Sequence, residues 1–207
     1  MEVRAHDLLQ FRDAEDLIAP RPLPEWVGEA VMFAPFAVVR RAPVEHGNIP
    51  VGIRGPARNQ RFAAFLPQSA VMRQITPVQL ARQRGWRQTL RGKQVKALRA
   101  LDFVDESCRT HQLLWGPAGS VGFELASGLP VVSAESDLDV VIRVPYFLPV
   151  GRARQIADDF SRAPVRIDAQ IETPRGAISL LEYARGDMPI LLRTLAGPVL
   201  ADNPWEC

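Results

Sequence analysis

Asp137 and Asp139 stand at the head of a short apolar run, Val140-Val141-Ile142. On a β-strand, residues i and i+2 point to one face, so both carboxylates would project together while Leu138 and Val140 turn to the buried side. Two carboxylates roughly 7 Å apart along a strand can share one or two divalent cations, and paired ions in phosphoryl-transfer sites lie about 3.5–4 Å apart. Upstream, Gly119-Ser120 follows another short apolar run and precedes Val121–Ser127, VGFELAS, which reads as a helix closed by Gly128. A glycine and a serine opening a helix offer backbone N–H groups and a hydroxyl to a phosphate. The stretch Trp115–Val144 therefore reads as strand, phosphate-binding turn, helix, metal-binding strand. A third acid, Asp168, lies in Val165–Glu172, whose alternation predicts a strand with Arg166, Asp168 and Gln170 on one face. Pairing of that strand beside the Asp137 strand would complete a three-acid cluster; otherwise Asp168 is an edge-strand aspartate.

A second set of candidates is basic. Gly52, Gly55 and Pro56 punctuate VGIRGPARNQRF, and Arg54, Arg58 and Arg61 recur along it with no acid nearby. Arginine forms bidentate bonds to phosphate oxygens and stays charged, so this glycine-rich turn suits a polyphosphate or nucleotide. The plainer reading is a surface loop. Net charge is only +2, yet Arg40–Arg99 holds eleven Arg and two Lys against Glu45 alone, with the remaining 12 basic and 22 acidic residues elsewhere. A basic block beside an acidic region points to a polyanionic substrate. Nucleic acid fits poorly, because aromatics are not interleaved with these arginines, Trp86 excepted.

The elements that must position these groups suggest an α+β chain in two parts. The first, 1–76, carries a polar-apolar lead-in, HDLLQFRDAEDLI, expected to make a helical turn or two. A helix over Glu25–Met32 and strands at Phe36–Arg41, Ile49–Ile53 and Phe62–Leu66 complete a small α+β domain. The second, 77–207, opens with Thr76 and Pro77 as helix start signals. It continues with helices at Lys93–Arg109, Arg152–Arg162 and Ala177–Gly186, a strand-like PILLRTL and a turn at Gly197-Pro198. His111 precedes the strand LLW and reads as a structural or surface residue rather than a base; Asp158 and Asp159 fall on a solvent face.

At 207 residues, 47% apolar and 23% charged, the composition is that of a globular protein with room for two small domains. Its two cysteines form neither metal-ligand spacing nor a disulfide framework. MEVRAHDLLQ lacks an apolar signal core, and the longest apolar stretch, Ala30–Val39, is broken by Pro35. The expectation is a soluble cytoplasmic enzyme with no membrane partner.

Gly119-Ser120, a helix, Asp137-Leu138-Asp139-Val140 and a later Asp168 together resemble the polymerase-beta-type nucleotidyltransferase superfamily. The sixteen residues between Ser120 and Asp137 exceed its usual spacing, and an insertion at Leu129–Ser136 absorbs the excess. Over nearly its full length the chain resembles a narrower family, the phosphoribosyl-dephospho-CoA transferases of malonate decarboxylase, also called holo-acyl-carrier-protein synthases. The resemblance rests on VGIRG…RNQRFA, WGPAGSVGFELASGLPVV…SDLDVVIR, RIDAQIET, GAISLLEYARG and ADNPW. It implies transfer from 2′-(5″-triphosphoribosyl)-3′-dephospho-CoA to a serine of the decarboxylase's acyl carrier protein, with pyrophosphate leaving. In that chemistry Asp137 and Asp139 would hold Mg²⁺, Asp168 would bind metal nearer the nucleophile or help accept its proton, and Gly119 and Ser120 would grip the departing phosphates. Arg54, Arg58 and Arg61 are assigned to the donor's charge on glycine placement and charge alone. Two other readings stay open: a nucleotidyltransferase moving NMP to a protein, tRNA or small molecule, and a non-catalytic carrier-binding assembly module.

Overall fold

Along β4 (Arg61–Pro67) Phe62, Ala64 and Leu66 are buried while Arg61 and Ala63 face solvent, the period of a strand covered on one face. The same logic builds the rest of the first of two compact units, which meet between Thr76 and Pro77 in a computed structural model describing residues 2–57 and 59–206. This unit is a five-stranded antiparallel sheet of β1 (Leu8–Gln10), β2 (Phe36–Val39), β3 (Asn48–Arg54), β4 and β5 (Arg73–Ile75), in the order β4-β3-β2-β1-β5. Helix α1 (Glu25–Phe33) lays Val27 and Val31, one turn apart, into a core shared with Leu9, Val51, Ile53 and Phe62. The lead-in departs from expectation: Leu8–Gln10 is an inner strand, and only Ala14–Asp16 makes a single 3₁₀ turn, capped by Asp13. Leu8 and Leu9 are both buried there, and adjacent apolar residues do not separate strand from helix by periodicity.

The second unit begins with α2 (Pro77–Gln83), followed by Arg84 at φ +50° and a 3₁₀ turn, Gly85–Gln88. The single helix expected over Lys93–Arg109 is two: α3 (Leu90–Gln94), capped by Thr89, and α4 (Lys96–Thr110), separated by Val95 in extended conformation. Then come β6 (Leu114–Pro117), α5 (Gly119–Ser127), β7 (Leu138–Arg143), α6 (Val150–Ser161), β8 (Ile167–Glu172), β9 (Ala177–Ser179), α7 (Leu180–Arg185), β10 (Ile190–Thr194) and β11 (Gly197–Ala201). They form a six-stranded mixed sheet, β11-β10-β9-β8-β7-β6, in which only β7 and β8 run parallel. Parallel neighbours need a crossover, and α6 supplies it.

Leu98, Leu101, Val104 and Cys108 on α4, Leu138, Val140 and Ile142 on β7, and Ile156 and Phe160 on α6 close one core. Each fully buried aliphatic side chain there stabilises the fold by about 1.5–3 kcal/mol. Tyr183 is buried with its hydroxyl donating to Leu148 O at 2.6 Å, so its polar tip carries no desolvation penalty. The helix expected at Ala177–Gly186 gives its first three residues to β9, because Ile178 is needed opposite Ile171 in the sheet. Gly197-Pro198 is not the turn: both residues belong to β11, an edge strand where proline's missing N–H costs no ladder bond. The coarse expectation of an α+β chain holds, and the second unit's sheet is mixed and flanked by helices. Among the described residues no helix is long and apolar enough to cross a membrane.

Candidate active site

β6 delivers the chain to the site. It pairs antiparallel with β7, its last residue Pro117 opposite Val140, and the next amide, Ala118 N–H, donates to Asp139 O at 2.9 Å. The turn is thus stitched to the backbone of the aspartate strand. Gly119 follows at φ +55°, and a Cβ built on it would fall 1.7 Å from Asp139 Oδ2. No side chain fits there; the glycine lets the start of α5 press against the carboxylate. Helix α5 begins at Gly119, two residues earlier than its apolar pattern predicts, and Ser120 is its second residue, half-buried. Ala118 makes no side-chain cap bond. The N-cap residue itself takes up none of the opening amides, and a helix start of this kind suits an anion.

The acids meet across the parallel pair. Asp139 lies opposite Asp168 in the register of β7 on β8, flanked by Leu138↔Ile167 and Val140↔Ala169. Those four apolar residues are buried, so both carboxylates project from the other face of strands about 4.8 Å apart. Asp137, half-buried like Asp139, sits one residue before β7 begins. Among the described residues no three His, Cys, Asp or Glu side chains close a metal cage by themselves. Magnesium does not require one: it keeps several waters and takes one or two carboxylates plus substrate phosphates.

Behind α5 lies a group that the sequence reading overlooked. Glu124, 7% exposed, receives Arg91 Nε at 2.8 Å on Oε1, and Arg91 Nη2 at 3.0 Å and Val132 N–H at 2.8 Å on Oε2. Arg91 Nη2 also donates to Val132 O at 2.7 Å. Donating to the Glu124 carboxylate raises the Arg91 guanidinium above its ordinary value. The signal available in the sequence was a lone acid inside the otherwise apolar VGFELAS helix.

In the other unit, Arg54 and Arg61 are register partners at the loop end of the β3–β4 hairpin, Arg61 exposed and Arg54 half-buried. Arg58 lies outside the described residues. The hairpin loop is closed by Gly55 N–H to Gln60 O (3.1 Å) and Ala57 N–H to Gln60 Oε1 (2.9 Å).

His111 stands at the far end of β6 from Gly119, at the C-terminus of α4, where its Nε2 meets Asp159 at 2.8 Å. It is structural. Asp158 is exposed as expected, but Asp159 is engaged by His111 and Arg162. Burial pushes the Cys108 thiol far above its ordinary value, which leaves it inert. Part of the basic block lines an open hollow of about 520 Å³ bounded by Trp86, Arg87, Gly92, Lys93, Arg99 and Asp102. Burial there opposes the charge of Asp102, yet hydrogen bonds from Trp86 Nε1 (3.0 Å) and Arg87 Nε (2.6 Å) hold its carboxyl below the ordinary value.

Residues 79–204 match the family model for the phosphoribosyl-dephospho-CoA transferase MdcG C-terminal domain, and residues 4–77 match that for its N-terminal domain. Among curated relatives, the phosphoribosyl-dephospho-CoA transferase of Pseudomonas putida is 39% identical over 204 residues, covering 98% of this chain and 95% of the relative. That of Pseudomonas aeruginosa is 36% identical over 201 residues, covering 97% and 93%. That of Azotobacter vinelandii is 37% identical over 205 residues, also covering 97% and 93%. No solved structure matches the chain. With both halves matched by the family's two models and relatives aligned nearly end to end, the chain belongs to the phosphoribosyl-dephospho-CoA transferase family and is a transferase enzyme.

Proposed function

We propose that the chain transfers a phosphoribosyl-dephospho-CoA group from 2′-(5″-triphosphoribosyl)-3′-dephospho-CoA to a serine of the malonate decarboxylase acyl carrier protein in the cytoplasm. The single observation that carries this reading is the juxtaposition of Asp139 with Asp168 across parallel strands, with Gly119 pressed against the Asp139 carboxylate. On this reading the second unit is a catalytic domain of the polymerase-beta nucleotidyltransferase type.

Mg²⁺ would be held by Asp137 and Asp139, with Asp168 closer to the acceptor; these three acids form no cage by themselves, so waters and substrate phosphates would complete its oxygen shell. When bound, Mg²⁺ supplies charge neutralisation at the triphosphate and eases deprotonation of the acceptor hydroxyl. The protein's own groups do the rest. The α5 amides from Gly119 to Val121 and the Ser120 hydroxyl receive the two phosphates that depart. Arg54, Arg58 and Arg61 take further negative charge of the donor. The serine oxygen forms a bond to the phosphorus nearest the ribose, the bond to the outgoing diphosphate breaks, and pyrophosphate leaves. The serine proton passes to solvent or to Asp168. Intact-mass analysis of the carrier after incubation with donor and Mg²⁺, with and without EDTA, tests this. The expected result is a gain of one phosphoribosyl-dephospho-CoA group that EDTA abolishes. A gain of AMP, or no gain with an active control enzyme, overturns it.

A further inference from the structure

The geometry points to Glu124 as a positioning residue for Asp137, acting through a hydrogen-bonded ring it forms with Arg91 and the backbone of Val132. This deepens the reading above and rests on it.

The segment Gly128–Asp137 joins the end of α5 to the start of β7 and holds most of the residues by which the Ser120–Asp137 spacing exceeds the superfamily's. It has no regular secondary structure. The two other acids need no help: Asp139 and Asp168 lie inside paired strands, and the α5 turn is fixed to the Asp139 backbone. Asp137 precedes β7: on its far side Leu138 N–H donates to Arg166 O at 2.9 Å, and on its near side the approach is held at Val132, five residues upstream, 4% exposed, with both N–H and C=O taken by the ring. Ser133 N–H donates to Ser136 Oγ at 3.0 Å, tightening the turn between Val132 and Asp137. One buried carboxylate thereby ties three elements together: α5, which carries Ser120; α3, through Arg91; and the segment that delivers Asp137. Glu124 does not touch the phosphate site or the acids. Its role is to keep the first acid in line with the other two.

Glutamine is the informative replacement. Glu124 accepts at both oxygens, from Arg91 Nε on one and from Arg91 Nη2 and Val132 N–H on the other. An amide turns one of those positions into a donor facing a donor, which breaks the two-point fork to Arg91 and loosens the ring at nearly unchanged volume. The experiment titrates Mn²⁺ into the full-length protein by water proton relaxation, for wild type, Glu124→Gln, Asp137→Asn and the double variant, with thermal unfolding alongside. Arg91→Lys, which keeps the charge but loses the fork, serves if Glu124→Gln does not fold. The expected result is weakening of Mn²⁺ binding by about 10–100-fold in the folded variant, the range seen when outer-shell partners of a metal site are removed. In the Asp137→Asn background Glu124→Gln should then add almost nothing, because both changes remove the same ligand. Wild-type affinity in Glu124→Gln or Arg91→Lys overturns the assignment. So does a full multiplicative loss in the double variant, which would make Glu124 a general support of the fold. Absence of Mn²⁺ binding in the wild type overturns this inference and the metal reading together. Mn²⁺ binding with the expected coupling, but no modified carrier, overturns only the proposed reaction.

Discussion

Gly119→Ala is the sharpest perturbation of the site, and Gly128→Ala is its control. Both glycines bracket α5 with positive φ, +55° and +77°, so alanine at either costs about 1–2 kcal/mol of left-handed strain. At Gly128 nothing lies within 4 Å of the added methyl, and strain is the whole effect. At Gly119 the methyl would sit 1.7 Å from Asp139 Oδ2. Ordinary carbon–oxygen contacts are about 3.3 Å or longer, so the carboxylate or the helix start must retreat by roughly 1.5 Å. A misplacement of about 1 Å costs on the order of a hundredfold in rate. Denaturant unfolding should therefore show both variants destabilised, Gly119→Ala somewhat more. Transfer to the carrier should fall about a hundredfold or more in Gly119→Ala alone. Equal activity in the two variants would refute the claim that Gly119 exists to seat Asp139.

Two further outcomes follow from the same geometry. His111→Ala removes the ring that meets Asp159, so unfolding should shift by roughly 1 kcal/mol while the transfer rate at saturating donor stays at the wild-type level; a lost rate would return His111 to the chemistry. Arg61→Glu turns a like-charge register pair with Arg54 into an opposite-charge one, so stability should hold or rise by a few tenths of a kcal/mol. Its apparent donor KM should rise about tenfold or more, the worth of one charged hydrogen bond, and an unchanged KM would remove the hairpin from the donor site.

Much of the frame around the candidate site was legible because its signals are short and local. Leu138-Asp139 before Val140-Val141-Ile142 states a strand that turns Asp139 away from the core, although Asp137 stands one residue ahead of it, and Gly128 closes α5 where a left-handed cap was expected. What was hidden depends on partners distant in sequence. Whether Asp168 stood beside Asp139 or on an edge was decided by the pairing of β8, 29 residues onward, which no local pattern shows. Ala177–Ser179 has helix-compatible composition yet joins the sheet, and Val95 splits a helical run. Glu124 went unnoticed because its meaning lies in Arg91 and Val132, 33 and 8 residues away.

The side-by-side alignment of β7 and β8 has a consequence for how this protein can vary. Because side chains alternate, sliding β8 by one position would hide Asp168 among Val140 and Ala157 and turn Ile167 outward beside Asp139. No intermediate offset keeps the apolar layer filled. A one-residue slip of β8 would thus switch the third acid off outright, whereas a residue inserted in the loop at 163–166, ahead of the strand, would be absorbed.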